Sequence, residues 1–148
     1  MVNKVLFSHK SDEWETPQNL FDELNQEFNF DVDVCATPEN AKCDKFFTIE
    51  QDGLTSWWHG NVWCNPPYSE IKYWVEKAYN RTGLSVLLVP ARTDTKWFHE
   101  YCYQNPNCEI RFIKGRLKFN NSKNSAPFPS MILIFNNSPE PYDGKIIT

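Results

Sequence analysis

The sequence predicts a three-layer α/β domain with a mostly parallel sheet and a C-terminal antiparallel hairpin, and three observations carry that prediction. Short apolar segments alternate with stretches of helical periodicity; residues 84–89 are apolar but for Ser85, as in a strand buried on both faces; and no helical segment separates the last two strands. With 148 residues, 41% hydrophobic and 16% aromatic, the chain can bury the core of a single domain spanning 1–148, with residues 139–148 as a loose tail.

Thr16-Pro17 reads as an N-cap followed by a first-turn proline, and Leu20, Phe21, Leu24 and Phe28 follow at helical spacing, which predicts an amphipathic helix over 17–28. Phe30 to Val34 alternates apolar and acidic residues, predicting a strand that leaves Asp31 and Asp33 on one side near its end. Residues 35–40 form the loop after it. Asn61 to Cys64 is a short strand feeding a turn at Asn65-Pro66-Pro67-Tyr68. Ser69 then caps a helix with Ile71, Trp74, Val75 and Ala78 on one face, stopped by Gly83. After the strand at 84–89, a helical pattern begins at Asp94 with Trp97, Phe98, Tyr101 and Cys102. Strands at 110–113 and 131–135 close the sheet, joined by a polar loop containing Asn120 to Asn124.

Ligands of such sheets bind at the carboxyl ends of the strands, so the loop from Asp33 to Ala36 and the turn from Asn65 to Tyr68 are expected to face each other. No apolar run approaches the roughly 18 residues of a membrane-spanning helix. The opening residues are too short and broken for a signal peptide, so a cytoplasmic protein with no membrane partner is expected. Five cysteines (Cys35, Cys43, Cys64, Cys102, Cys108) without a Cys-x-x-Cys pair fit reduced thiols, and the scattered His9, His59 and His99 lack metal-ligand spacing. No metal is expected. A magnesium triad of Asp31, Asp33 and Asp52 is not demanded by their spacing.

The net charge of −4 conceals an asymmetry: twelve acids and four bases through residue 60, then seven acids and eleven bases. Arg111, Lys114, Arg116, Lys118 and Lys123 lie in an acid-free segment that can meet phosphates, or can simply be a solvated face.

Asn65-Pro66-Pro67-Tyr68 carries the chemistry. Two prolines restrict φ and push the preceding residues toward extended geometry, fixing the Asn65 amide and the Pro66 carbonyl in advance. Two acceptors beside an aromatic ring can bind both hydrogens of a planar amino group, localise its lone pair, and stack its ring on Tyr68. Asn-Pro-Pro is also an ordinary turn opener. A target base inside a duplex must be extruded or met single-stranded. Lys114, Arg116 and Lys118, with Arg92 at the end of another strand, are the candidates to hold a DNA backbone. There is no Pro-Cys dipeptide for attack on a pyrimidine ring carbon, no P-loop and no Gly-x-Ser-x-Gly.

In order along the chain stand Trp14-x-Thr16-Pro17, Asp31-x-Asp33-x-Cys35-Ala36, Asp52-Gly53-Leu54 before Trp57-Trp58, Asn65-Pro66-Pro67-Tyr68-Ser69, Gly115-Arg116-Leu117-x-Phe119 and Phe128-Pro129-Ser130-Met131. On these motifs, from about Glu13 to Phe135, the chain resembles the small phage and prophage DNA N6-adenine methyltransferases, a family dependent on S-adenosylmethionine. The resemblance implies a Rossmann-like methyltransferase fold and methyl transfer to the exocyclic N6 amino group of adenine in DNA. It implies that Trp14, Thr16, Pro17, Asp33, Cys35 and Ala36 approach the methionine part of the cofactor, that Asp52 lies near its adenosine, and that Asn65, Pro66, Pro67 and Tyr68 form the catalytic turn, with Asn65 also against the cofactor. The chain departs from the wider methyltransferase pattern in lacking a Phe-x-Gly-x-Gly loop. The short span from Ala36 to Asn65 leaves no room for an inserted target-recognition domain. The same turn suits other planar amino groups, namely cytosine N4, an RNA guanine amino group or a protein glutamine, and a non-catalytic nucleic-acid-binding protein of the same fold is the alternative from another class.

Overall fold

A computed structural model describes residues 14–137; the opening residues and the predicted tail at 139–148 lie outside them. The described residues form a mixed α/β arrangement around one five-stranded sheet. Its strands are β1 (Val32–Asp33), β2 (Val62–Cys64), β3 (Gly83–Pro90), β4 (Cys108–Phe112) and β5 (Ser130–Asn137), in the spatial order β1-β2-β3-β5-β4. β1, β2 and β3 are parallel, while β5 runs antiparallel to both of its neighbours, β3 and β4. Hence the carboxyl ends of β1 to β4 and the amino end of β5 share one edge.

The two long helices are α1 (Gln18–Phe28) and α2 (Ile71–Asn80). Alternation along the buried strands divides the core. Val62, Cys64, Leu87, Val89, Met131, Leu133 and Phe135 pack with Ile71, Trp74, Val75 and Ala78 of α2. Trp63, Val86, Leu88, Ile132 and Ile134 pack with Phe21 and Leu24 of α1 and with Phe119 and Ala126 of the loop between β4 and β5. Each helix thus buries one apolar stripe against one sheet face, the packing an amphipathic sequence requires.

Several elements differ from expectation. Thr16 does not cap α1: Pro17 occupies the cap position with ψ 132°, outside helical geometry, and no side chain caps the helix. β1 is two residues long instead of five, because its edge continues as backbone pairing with the following loop: Asp33 N donates to Lys45 O and Phe47 N to Asp33 O. Tyr68–Glu70 forms a 3-10 turn, which puts Glu70 instead of Ser69 at the cap position of α2. Gly83 opens β3 at φ 120° while α2 has already ended at Asn80, so the glycine serves the strand entry. The pattern from Asp94 becomes a short turn whose Phe98–Cys102 portion has π spacing, with Tyr103 N donating to Phe98 O. β4 begins at Cys108 and β5 extends to Asn137, two residues beyond the predicted end at Phe135.

Candidate active site

At the shared strand edge a cavity of about 620 Å³ opens between the loops that follow β1 and β2. It is lined by Trp14, Thr16, Asp33, Cys35, Ala36, Asp52 and Asn65, among others, and by Pro66 and Pro67. Of the residues assigned to a cofactor from sequence, only Pro17 is absent from this wall. The loop at 33–36 and Asn65, about 30 positions apart, meet here because adjacent parallel strands deliver their carboxyl ends together.

The loop after β1 is fixed by its own polar groups. Thr37 N donates to Asn40 Oδ1 at 2.7 Å and Asn40 N to Thr37 Oγ1 at 3.2 Å, a reciprocal pair that closes residues 37–40. Asp33 is 3% exposed and accepts from the backbone of Lys42 at 3.0 Å and Cys35 at 3.3 Å. Burial outweighs these donors and the Lys42 charge, pushing the Asp33 carboxyl up to about 7. Gly53 brings the next loop against β1: a Cβ there would sit 2.1 Å from Val34 O and 2.8 Å from the Trp74 ring. Its carbonyl accepts from Trp58 Nε1 at 2.7 Å, which ties Gly53 to Trp58 five residues on.

Asn65 is oriented from outside its own turn. Its Nδ2 donates both hydrogens, one to Trp14 O and one to Thr16 Oγ1 at 3.0 Å. A carbonyl can only accept, so the nitrogen must face Trp14, and Oδ1 is turned the other way. That oxygen is buried and has no partner among the described residues. Thr16, 3% exposed, therefore contributes an acceptor to Asn65 in place of the helix cap expected of it. The Trp14–Thr16 segment is held in turn by the loop between β4 and β5. Asn120 N donates to Glu15 O at 3.0 Å, Asn120 Nδ2 to Thr16 O at 3.0 Å, and Glu15 N to Asn121 Oδ1 at 3.0 Å. These asparagines were not among the site candidates, although their clustering between two strands was visible.

Tyr68 is 6% exposed and lies beneath aromatic rings: Trp14 stacks on it at 6.5 Å with 19° between planes, and Phe128 meets it edge-on at 5.5 Å. Its hydroxyl is buried without a partner among the described residues, and burial holds its pKa above the usual tyrosine range against the opposing pull of the nearby Arg92 charge. The Tyr68 phenol is therefore neutral near neutral pH.

Arg92, Lys114, Arg116 and Lys118 are all exposed. Arg92 and Lys114 follow the carboxyl ends of β3 and β4, at the edge that carries Asn65. Arg111 does not join them. Its guanidinium forms a two-pronged pair with Glu27 at 2.7 Å and bonds Glu109 at 2.6 Å, neutralising one charge of the acid-free segment. Among the described residues no cluster of His, Cys, Asp and Glu could hold a metal, no disulfide joins the cysteines, and no helix is long and apolar enough to cross a membrane.

Comparison with known proteins adds an independent line. A family model described as DNA N-6-adenine-methyltransferase (Dam) matches residues 4–146. A DNA N-6-adenine-methyltransferase of Haemophilus phage HP1 (strain HP1c1) is 34% identical over 140 residues, covering 85% of this chain and 80% of the phage protein. A DNA N-6-adenine-methyltransferase of Escherichia phage T1 is 37% identical over 112 residues, 72% of this chain and 46% of that protein. The putative methyltransferase YfdM of Escherichia coli (strain K12) is 35% identical over 65 residues, 38% of this chain and 71% of that protein.

Proposed function

We propose, from the premise that the chain belongs to the DNA N-6-adenine-methyltransferase (Dam) family, that it transfers a methyl group from S-adenosylmethionine to the N6 amino group of adenine in DNA. The observation that carries the reading is the Asn65 amide: both donors are consumed by Trp14 and Thr16, and the buried Oδ1 is left as an acceptor unpaired among the described residues. A buried polar atom without a partner costs free energy unless a ligand supplies one. A planar amino group does.

The adenine amino nitrogen is a poor nucleophile because its lone pair is delocalised into the ring. Asn65 Oδ1 and the Pro66 carbonyl each accept one amino hydrogen and favour a pyramidal nitrogen. Their bonds strengthen as positive charge develops there, which stabilises the transition state more than the ground state. Tyr68, its ring packed beneath Trp14 and Phe128 and not open for the stacking expected from sequence, completes the turn as an aromatic support. Pro67 keeps the turn stiff.

The cavity beside Asn65 fits the methyl donor in volume and donor set: about 620 Å³, a buried Asp33 carboxylate suited to an ammonium, and Asp52 on the wall suited to ribose hydroxyls. When bound, S-adenosylmethionine supplies an electrophilic methyl group. Trp14, Thr16, Cys35 and Ala36 complete the wall, while Pro17 positions the start of α1; no metal takes part. Arg92, Lys114, Arg116 and Lys118 hold the DNA backbone along the strand edge. We read the whole chain as one minimal methyltransferase domain of three-layer, Rossmann-like design with a terminal hairpin, working in the cytoplasm of a bacterial host.

Incubation of the protein with methyl-labelled cofactor and adenine-containing DNA tests this reading. Label in adenine, lost in Asn65→Ala, is the expected result; no transfer to any DNA at any salt concentration would overturn it.

A further inference from the structure

We infer that Ser130 is a further substrate-contacting residue, its buried hydroxyl donating a hydrogen bond to a ring nitrogen of the adenine whose amino group Asn65 holds. The inference rests on the reading above and adds a contact that distinguishes the ring and not only its amino group.

Three side-chain oxygens at the site edge are buried without a partner among the described residues: Asn65 Oδ1, Tyr68 Oη and Ser130 Oγ. The first two belong to the turn. Ser130 is the first residue of β5, paired with Pro90 at the carboxyl end of β3, and it is 1% exposed. Strand parity puts it on the Asn65 side of the sheet. Ile132 and Ile134 share a cluster with Leu88 and Trp63, and Ser130 has the parity of Ile132, as Asn65 has that of Trp63.

The register supplies the spacing. Cys64 pairs with Leu87, so Asn65 comes beside Leu88, whose partner is Ile132, and Ser130 stands one pleat nearer the edge. The two residues are two strands apart, at about 4.8 Å per strand. Leu88 and Pro90 lie between them. That gap suits a flat base with Asn65 at its amino group and a donor at another point on its rim. Phe128, two residues before Ser130, meets the Tyr68 ring at 5.5 Å, so the start of β5 packs directly against the turn.

A structural role explains this serine poorly. Serine hydroxyls in sheets ordinarily bond a nearby backbone group, and a buried one that does not is worse than alanine by its desolvation. The hydroxyl can donate, and adenine N1, N3 and N7 are acceptors. Asn65 Oδ1 cannot use any of them, since it can only accept.

The test compares wild type and Ser130→Ala on oligonucleotides carrying adenine, 1-deazaadenine, 3-deazaadenine or 7-deazaadenine at the methylated position. Loss of one hydrogen bond of this kind should lower kcat/KM about tenfold for Ser130→Ala on adenine. One deaza substrate should suffer the same loss with wild type and no additional loss with the variant. Melting of Ser130→Ala is expected at or above the wild-type temperature, with S-adenosylmethionine binding unchanged. Unchanged kcat/KM on adenine, additive losses for every deaza substrate, or a lowered melting temperature accompanying the loss would each overturn the assignment. A wild-type protein that methylates no adenine at all removes the reading beneath it, an outcome distinct from a normal enzyme indifferent to Ser130.

Discussion

The Thr16 hydroxyl accepts a 3.0 Å hydrogen bond from the side-chain nitrogen of Asn65, across 49 positions of sequence. With the Trp14 carbonyl it fixes the orientation of the amide, turning Oδ1 away from both. Thr16→Val, which keeps the shape and removes the acceptor, leaves one amide hydrogen unpaired at about 1–3 kcal/mol. We expect kcat to fall about tenfold or more with little change in DNA affinity, and Thr16→Ser to restore most of it. Single-turnover kinetics separate these effects.

Asn65→Asp preserves an acceptor but sets carboxylate oxygens against the Trp14 carbonyl and a hydroxyl. The variant is expected to lose about 2 kcal/mol or more of stability at neutral pH, regained in acid as the carboxyl protonates and can donate again. Urea unfolding at two pH values checks this.

Asp33 supplies the pH dependence. Its carboxyl titrates near 7 in the folded chain against an ordinary 3.8, because burial disfavours its charged form. The folded state therefore holds a proton that the unfolded state has lost between these values, and the stability contribution falls as pH rises from about 4 to about 7. On the proposed placement of the methyl donor's ammonium at Asp33, binding favours the ionised carboxylate, so affinity should rise through about pH 7 with release of a proton. Asp33→Asn should remove both dependences. Calorimetry in buffers of different ionisation enthalpy measures the proton.

Gly53 tolerates no side chain, since a Cβ would lie 2.1 Å from the Val34 carbonyl oxygen. Gly53→Ala should destabilise the fold by about 3 kcal/mol or more through forced backbone displacement, and weaken cofactor binding with it. Thermal melting and cofactor titration read the two effects.

The basic segment divides into two groups. Lys114→Ala and Arg116→Ala should each reduce the slope of log affinity against log salt by about one, as loss of a phosphate contact does. Arg111→Ala should leave that slope unchanged, because its guanidinium is engaged by Glu27 and Glu109. Fluorescence anisotropy across a salt series distinguishes them.

Local pattern made much of this architecture legible. Apolar spacing located α1 and α2, the mostly apolar run at 84–89 marked the central strand β3, and the strand-turn-helix order put Asn65 at a carboxyl edge. The misplaced features depend on partners distant in sequence. Thr16 looks like a helix cap until Asn65 is beside it, Arg111 looks like a free cation until Glu27 arrives from 84 positions away, and β1 looks longer because residues 45–47 continue its edge. Asn120 and Asn121 read as ordinary loop residues because the chain they clamp lies more than 100 positions upstream. The cavity residues were grouped by motif, and strand order explains why they meet: β1 and β2 are adjacent and parallel.

Nucleoside mass spectrometry of DNA incubated with S-adenosylmethionine and either wild type or Asn65→Ala tests the central claim most directly. The account predicts N6-methyladenine from wild type and none from Asn65→Ala, with both proteins folded. Methyl groups on cytosine N4, or equal N6-methyladenine from the two proteins, would contradict it.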